Sequence, residues 1–154
     1  MRYRLSAKAL VIQDGRLLCT ANRGEMDEFL LLPGGGQEPF ENLHEALARE
    51  CEEELGAGIG LEVGDLVLVR DYIGRNHEFA AYDQEFHQVE LMFACRLAHP
   101  EKVGHGTSHD AFQIGVVWVP LAEVAESPLY PKVLRTRIGS EGLRPGPVYL
   151  GDVN

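Results

Sequence analysis

The feature that most limits how this chain can fold is a run of three glycines, Gly34-Gly35-Gly36, followed at once by the most acidic stretch of the sequence. Consecutive residues without a Cβ admit backbone conformations closed to other residues and let the chain pass close to another group. From Gln37 to Leu55 there are seven carboxylates (Glu38, Glu41, Glu45, Glu50, Glu52, Glu53 and Glu54) against one Arg, a local balance of −6. Asn42 to Leu55 reads as a helix by composition, and Gly56-Ala57-Gly58 supplies its stop. At about 100° per residue, Leu43, Ala46, Leu47, Glu50, Glu53 and Glu54 fall in one arc, within about 60° of Glu50. A helix that merely showed charge to water would keep its carboxylates opposite the leucines, whereas three of these continue the leucine side. Carboxylates at i, i+3 and i+4 repel one another unless something positive lies between them. A divalent cation is the simplest such partner, and an oxygen-only ligand set suits Mg²⁺ or Mn²⁺ rather than zinc.

Around this centre the pattern is mostly strands. Residues 3 to 12 enter a core, Asp14-Gly15 signals a hairpin, and Arg16 to Thr20 returns. Phe29 to Leu32 is a short apolar run before the glycines. Leu61 to Ile73 and Phe86 to Leu97 read as strands, as does Ile114 to Val119, which holds Trp118, the only Trp. Pro120 opens a short helix through Val124, Lys132 to Ile138 reads as a last helix, and a Gly- and Pro-rich tail occupies 139–154. Strands on both sides of one strong helix, without regular βαβ alternation, predict a mixed α/β sandwich rather than a doubly wound sheet. The 154 residues, without repeat or linker, predict one domain.

The net charge of −10 excludes a protein that grips nucleic acid nonspecifically, or an anionic membrane, through a basic face. No apolar run approaches a membrane span and no leader is visible, which predicts a cytoplasmic protein. Cys19, Cys51 and Cys95 are odd in number, lack metal-ligand spacing and sit among apolar neighbours, as small buried hydrophobes would.

The spacing completes a known pattern. Gly35, five residues, Glu41, seven residues, Arg49-Glu50, then Cys51, Glu52, Glu53-Glu54, Leu55, Gly56 and Ala57 resembles the Nudix box. Every fixed Gly, Glu and Arg is present. The departures are Cys51 and Ala57, smaller than the usual bulky apolar residues, and Phe40, where many relatives carry Gly. The resemblance implies a Nudix-type α/β/α sandwich with a mixed central sheet and one catalytic helix after a Gly-rich loop. It implies a Mg²⁺- or Mn²⁺-dependent hydrolase of nucleoside diphosphates linked to another moiety. Glu50, Glu53 and Glu54 would hold the metal, joined by a backbone carbonyl at Gly34 or Gly35, and Glu41 with Arg49 would fix loop against helix. Homodimerisation is a further expectation of the resemblance.

The general base is left open among Glu50, Glu53, Glu90 and Asp110; Gln113, near where many relatives place a Glu, is too weak a base to serve. A solvent-facing strand Glu is the plain alternative for Glu90, as an ordinary loop Asp is for Asp110. Arg23, Tyr72, Arg75 and Phe79 are the candidates for substrate contact, with exposed Arg the plain alternative for each arginine. The Pro seen about sixteen residues after the box in relatives that cleave ADP-ribose is replaced by Ile73, so the substrate stays unspecified among nucleoside triphosphates, oxidised nucleotides, ADP-ribose-like compounds and dinucleoside polyphosphates. The competing function is a Nudix-like sensor that binds a nucleotide without cleaving it.

Overall fold

The computed structural model describes residues 1–25, 27–104 and 112–154. The strand β1 (Arg2–Gln13) turns at Asp14 and Gly15, both with positive φ (52° and 71°), into β2 (Arg16–Arg23). Two successive left-handed residues match the twist of a tight hairpin, which is why an Asp-Gly pair stands there. Then come β3 (Glu28–Leu31), β4 (Gly34–Gly36) and α1 (Leu43–Leu55). Two long strands follow, β5 (Leu61–Ile73) and β6 (Phe86–Leu97), separated by a 3₁₀ turn and the short α2 (Ala80–Asp83). After β7 (Gln113–Pro120) the chain makes a 3₁₀ segment (Leu121–Glu126), β8 (Leu129–Tyr130) and α3 (Leu134–Arg137). It ends with β9 (Ile138–Gly139), β10 (Gly142–Leu143) and β11 (Tyr149–Asp152).

The mixed sheet runs β11-β5-β6-β1-β2-β3-β8, with β4 also on β1 and β7 also on β2. The β1·β6 pair is parallel and β5·β6 antiparallel. Because side chains alternate along a strand, each strand feeds both faces. Ala7, Ala9, Val11, Phe93 and Leu97 meet Leu47, Cys51 and Leu55 of α1 on one side. Leu10, Leu17, Leu68 and Met92 meet Leu121, Val124, Leu134 and Ile138 on the other. This is the expected α/β sandwich, with α1 on one layer and the 3₁₀ segment and α3 on the other.

The Gly- and Pro-rich tail takes part in the sheet. Residues 139–154 are not an appendage: β11 pairs in parallel with β5 and forms the sheet edge. Asp152 accepts from the backbone N–H of Ile73 (2.9 Å) and Asn76 Nδ2 (2.7 Å) and lies 2.7 Å from His77 Nε2. Among the described residues no helix is long and apolar enough to cross a membrane. Cys19 and Cys51 are buried free thiols and Cys95 is half-buried; burial pushes Cys19 up to about 12.

Candidate active site

The helix that carries the acidic residues is built to start sharply. Asn42 Oδ1 accepts from the Glu45 N–H (2.9 Å) and Glu45 Oε2 accepts from the Asn42 N–H (2.8 Å), a reciprocal cap. At the other end, Gly56 at φ 110° closes the helix, its N–H donating to Glu52 O at 3.0 Å. The last turn holds Glu52, Glu53 and Glu54 and no basic residue, so three negative charges sit at the negative end of the helix dipole. That placement is unfavourable unless a cation joins it.

Packing grades the carboxylates. Glu54 is buried beside Leu47 and Cys51, Glu50 lies at the rim, and Glu53 is the most exposed of the three box glutamates on this helix. The buried face is therefore rotated from the arc centred on Glu50, because Cys51 and Leu55 also face the sheet. Arg49 knits loop to helix. Its Nε and Nη2 donate to the two oxygens of Glu41 (3.1 and 2.6 Å), Nη2 also to Gly36 O (3.0 Å), and Nη1 to Glu50 Oε1 (3.0 Å). Glu53 Oε1 lies 3.7 Å from the same Nη1. The Arg49 hydrogen bonds, aided by the Glu38 N–H, hold the Glu41 carboxyl below its usual range, and the Arg49 guanidinium is held more basic than usual by Glu41. Its two-pronged grip on Glu41 joins the loop to the helix.

The glycine ribbon forms the floor. A Cβ at Gly35 would lie 2.5 Å from the Glu50 carboxyl carbon, and one at Gly34 would lie 2.1 Å from Ala7 O. The Gly34 N–H donates to Glu54 Oε2 at 3.3 Å. Among the described residues no three His, Cys, Asp or Glu side chains gather as a closed metal cage, since Arg49 draws Glu50 and the Gly34 amide draws Glu54. The donors present nonetheless fit a hard divalent cation: carboxylate and carbonyl oxygens, crowded at a helix C-terminus, over a floor with no side chains.

The other expected site residues are dispersed. Glu90 is not solvent-facing: it is buried and paired with Arg70 Nε at 2.5 Å, which corrects the plain alternative for it. Arg23 is exposed and bridges to Glu28 across β2 and β3. The Tyr72 ring stacks on His77 and its hydroxyl donates to Asp83 Oδ2, so its face and its polar end are used internally. Arg75 lines a surface hollow of about 310 Å³ with Asn76, Phe86 and His87, away from the box. Phe79 sits edge-on to Tyr130. Gln113 donates to the Glu54 backbone carbonyl at 3.2 Å, which ties β7 to the end of α1. Asp110 lies outside the described residues. Phe40 is fully exposed at φ 72°, the left-handed geometry for which Gly would be the ordinary choice.

The sequence reading missed Lys8. It is buried, and its Nζ donates to Leu32 O (3.3 Å) and Gly34 O (3.2 Å). Arg4, Ser6 and Lys8 alternate along β1, and that period-2 polar row within an apolar strand was the available signal.

Fold and site together define an enzyme of the α/β sandwich class that presents a carboxylate-rich helix to a glycine ribbon. A MutT NUDIX hydrolase from Burkholderia pseudomallei has the same fold (TM-score 0.61, 23% identity, covering 94% of this chain and all of that one). So does a NUDIX hydrolase from Nitrosomonas europaea (TM-score 0.66, 18% identity, 88% and 85% covered). Nucleoside triphosphatase NudI of Salmonella paratyphi B is 34% identical over 140 residues, 89% of this chain and 94% of its own length. The NUDIX domain model matches residues 2–136, and the chain belongs to that family. It is a Nudix hydrolase acting on phosphorus-containing acid anhydrides, in a family that generally uses divalent cations.

Proposed function

We propose that the protein is a Mg²⁺- or Mn²⁺-dependent pyrophosphohydrolase of a nucleoside triphosphate or a closely related nucleoside diphosphate derivative. The observation that carries this reading is the crowding of Glu50, Glu53 and Glu54 at the helix end, over a Gly35 that leaves no room for a Cβ beside Glu50. The relation to a protein named nucleoside triphosphatase supports the choice of substrate class. In this reading Glu50, Glu53 and Glu54, with a ribbon carbonyl at Gly34 or Gly35, hold the cation. When bound, a divalent cation supplies charge neutralisation to the diphosphate and makes water more acidic. Arg49 and Glu41 keep the ribbon and helix in register. The proton of the attacking water passes to Glu50, Glu53 or Asp110, since Glu90 is buried in a pair with Arg70 on the sheet.

The test is a hydrolysis screen with Mg²⁺ and with Mn²⁺ against nucleoside and deoxynucleoside triphosphates, oxidised nucleotides, ADP-ribose, nucleotide sugars and dinucleoside polyphosphates, with products identified. The reading expects a nucleoside monophosphate and pyrophosphate from a triphosphate. Nucleotide binding with no turnover under any metal would instead establish a sensor.

A further inference from the structure

We propose that Lys8 is a positioning residue of the active site, which fixes the glycine ribbon from behind so that Gly34 can hold Glu54 in place. The inference rests on the metal-dependent reading above. Lys8 is 8% exposed, and among the described residues the hydrogen-bond partners of its ammonium are neutral carbonyls, those of Leu32 and Gly34. An ammonium is costly to bury, so a chain that needed only to fold would gain by an apolar residue at this place in β1. Ala7, Ala9 and Val11 face α1, whereas Lys8 points to the other side of the strand, between the buried Ser6 and Leu10.

What Lys8 touches gives it a role. Gly34 stands opposite Lys8 in the β1·β4 register and is pinned at both ends: its carbonyl takes the Lys8 ammonium, and its N–H donates to Glu54 Oε2. The preceding carbonyl, of Pro33, is held by the Ala9 N–H at 2.8 Å, and the carbonyl before that by Lys8 again. On the far side of the ribbon, Gly36 O takes Arg49 Nη2. Two cations thus hold the ribbon from its two ends, Arg49 from the helix and Lys8 from the sheet. Three glycines have no side-chain packing to fix their conformation, so the β1·β4 ladder and these polar clamps do it together. Loosening Gly34 would let the Glu54 carboxylate turn away from Glu50 and Glu53.

The experiment measures Mn²⁺ affinity by titration of the whole protein, together with backbone amide exchange at Gly34–Gly36, in wild type, Lys8→Met, Lys8→Arg and the control Ser6→Ala. Ser6 lies on the same face of β1, opposite Gly36 in the β1·β4 register, and its buried Oγ has no hydrogen-bond partner among the described residues, so its removal perturbs this face while taking no side-chain hydrogen bond from the ribbon. Lys8→Met is expected to weaken Mn²⁺ binding about tenfold and to speed ribbon exchange at least tenfold, with β5 and β6 exchange unchanged. Lys8→Arg, which keeps charge and donors, is expected to restore affinity to within about threefold, and Ser6→Ala to leave it at the wild-type value. If Lys8→Met does not fold, Lys8→Gln is read in its place. Unchanged affinity without Lys8, or an equal loss in Ser6→Ala, overturns the proposal alone. Absence of Mn²⁺ binding in wild type overturns it together with the metal-dependent reading.

Discussion

The guanidinium of Arg49 serves Glu41, Gly36 and Glu50 at once, and Gly35 leaves the space that lets Glu50 lie against the ribbon. At this scale the sequence was most informative about identity and spacing, because fixed residues at fixed intervals are what the chemistry requires. It was least informative about partners. Nothing local to Glu90 announces Arg70, twenty positions earlier, and nothing local to Lys8 announces the carbonyls of Leu32 and Gly34. Gly35→Ala tests the floor directly. Its methyl would displace the Glu50 carboxylate, and displacement of a working group by an ångström can cost about 10²-fold in rate. The expected result is kcat lowered by about that factor, with the melting midpoint shifted only a few degrees, read by steady-state kinetics and thermal unfolding.

Among the elements, β5 and β6 run where the apolar pattern ends them, and α1 begins one residue after Asn42, where composition opens it. Strong periodicity and capping are local signals, so they survive into the fold. The rotation of α1 about its axis was not legible, since it depends on which strands receive Leu47, Cys51 and Leu55. That rotation places Glu54 inward and Glu53 outward. The reciprocal cap at Asn42 fixes the start of the helix, and Asn42→Ala is expected to cost about 1 kcal/mol. For a chain of this size that lowers the midpoint by about 2–4 °C, measurable by calorimetry. Activity at temperatures well below the transition should persist, because Glu50, Glu53 and Glu54 lie toward the opposite end of α1.

Across the whole molecule, the tail closes the sheet through groups that titrate. Hydrogen bonds from Tyr149 and His87 hold the Asp71 carboxyl below its usual range. Burial pulls Asp152 upward, but Asn76, His77 and the Ile73 N–H outweigh it and hold it low as well. A carboxyl depressed in the folded state adds stability that is present above its unfolded value, about 3.9. That stability is lost as pH falls through the lower folded value. The melting midpoint should therefore fall on acidification below about pH 4. Asp152→Ala should flatten that decline and lower the midpoint near neutral pH by the equivalent of about 1–3 kcal/mol. An unchanged acid limb in that variant would show that the tail clamp is not an important acid-sensitive contact.

The charge of −10 also acquires its meaning at this scale. More than half of it lies in the segment around α1, where it makes a site for a cation rather than a repellent surface, and the working charge there is set by what the carboxylates hold. The most direct measurement is Mg²⁺-dependent turnover of a nucleoside triphosphate by wild type and Glu53→Gln, which removes a charge while keeping shape. Metal-dependent release of pyrophosphate by wild type, with kcat reduced by about 10²-fold or more in the folded variant, is the predicted result. Equal turnover by the two proteins, or wild-type turnover undiminished by a chelator, would contradict the account.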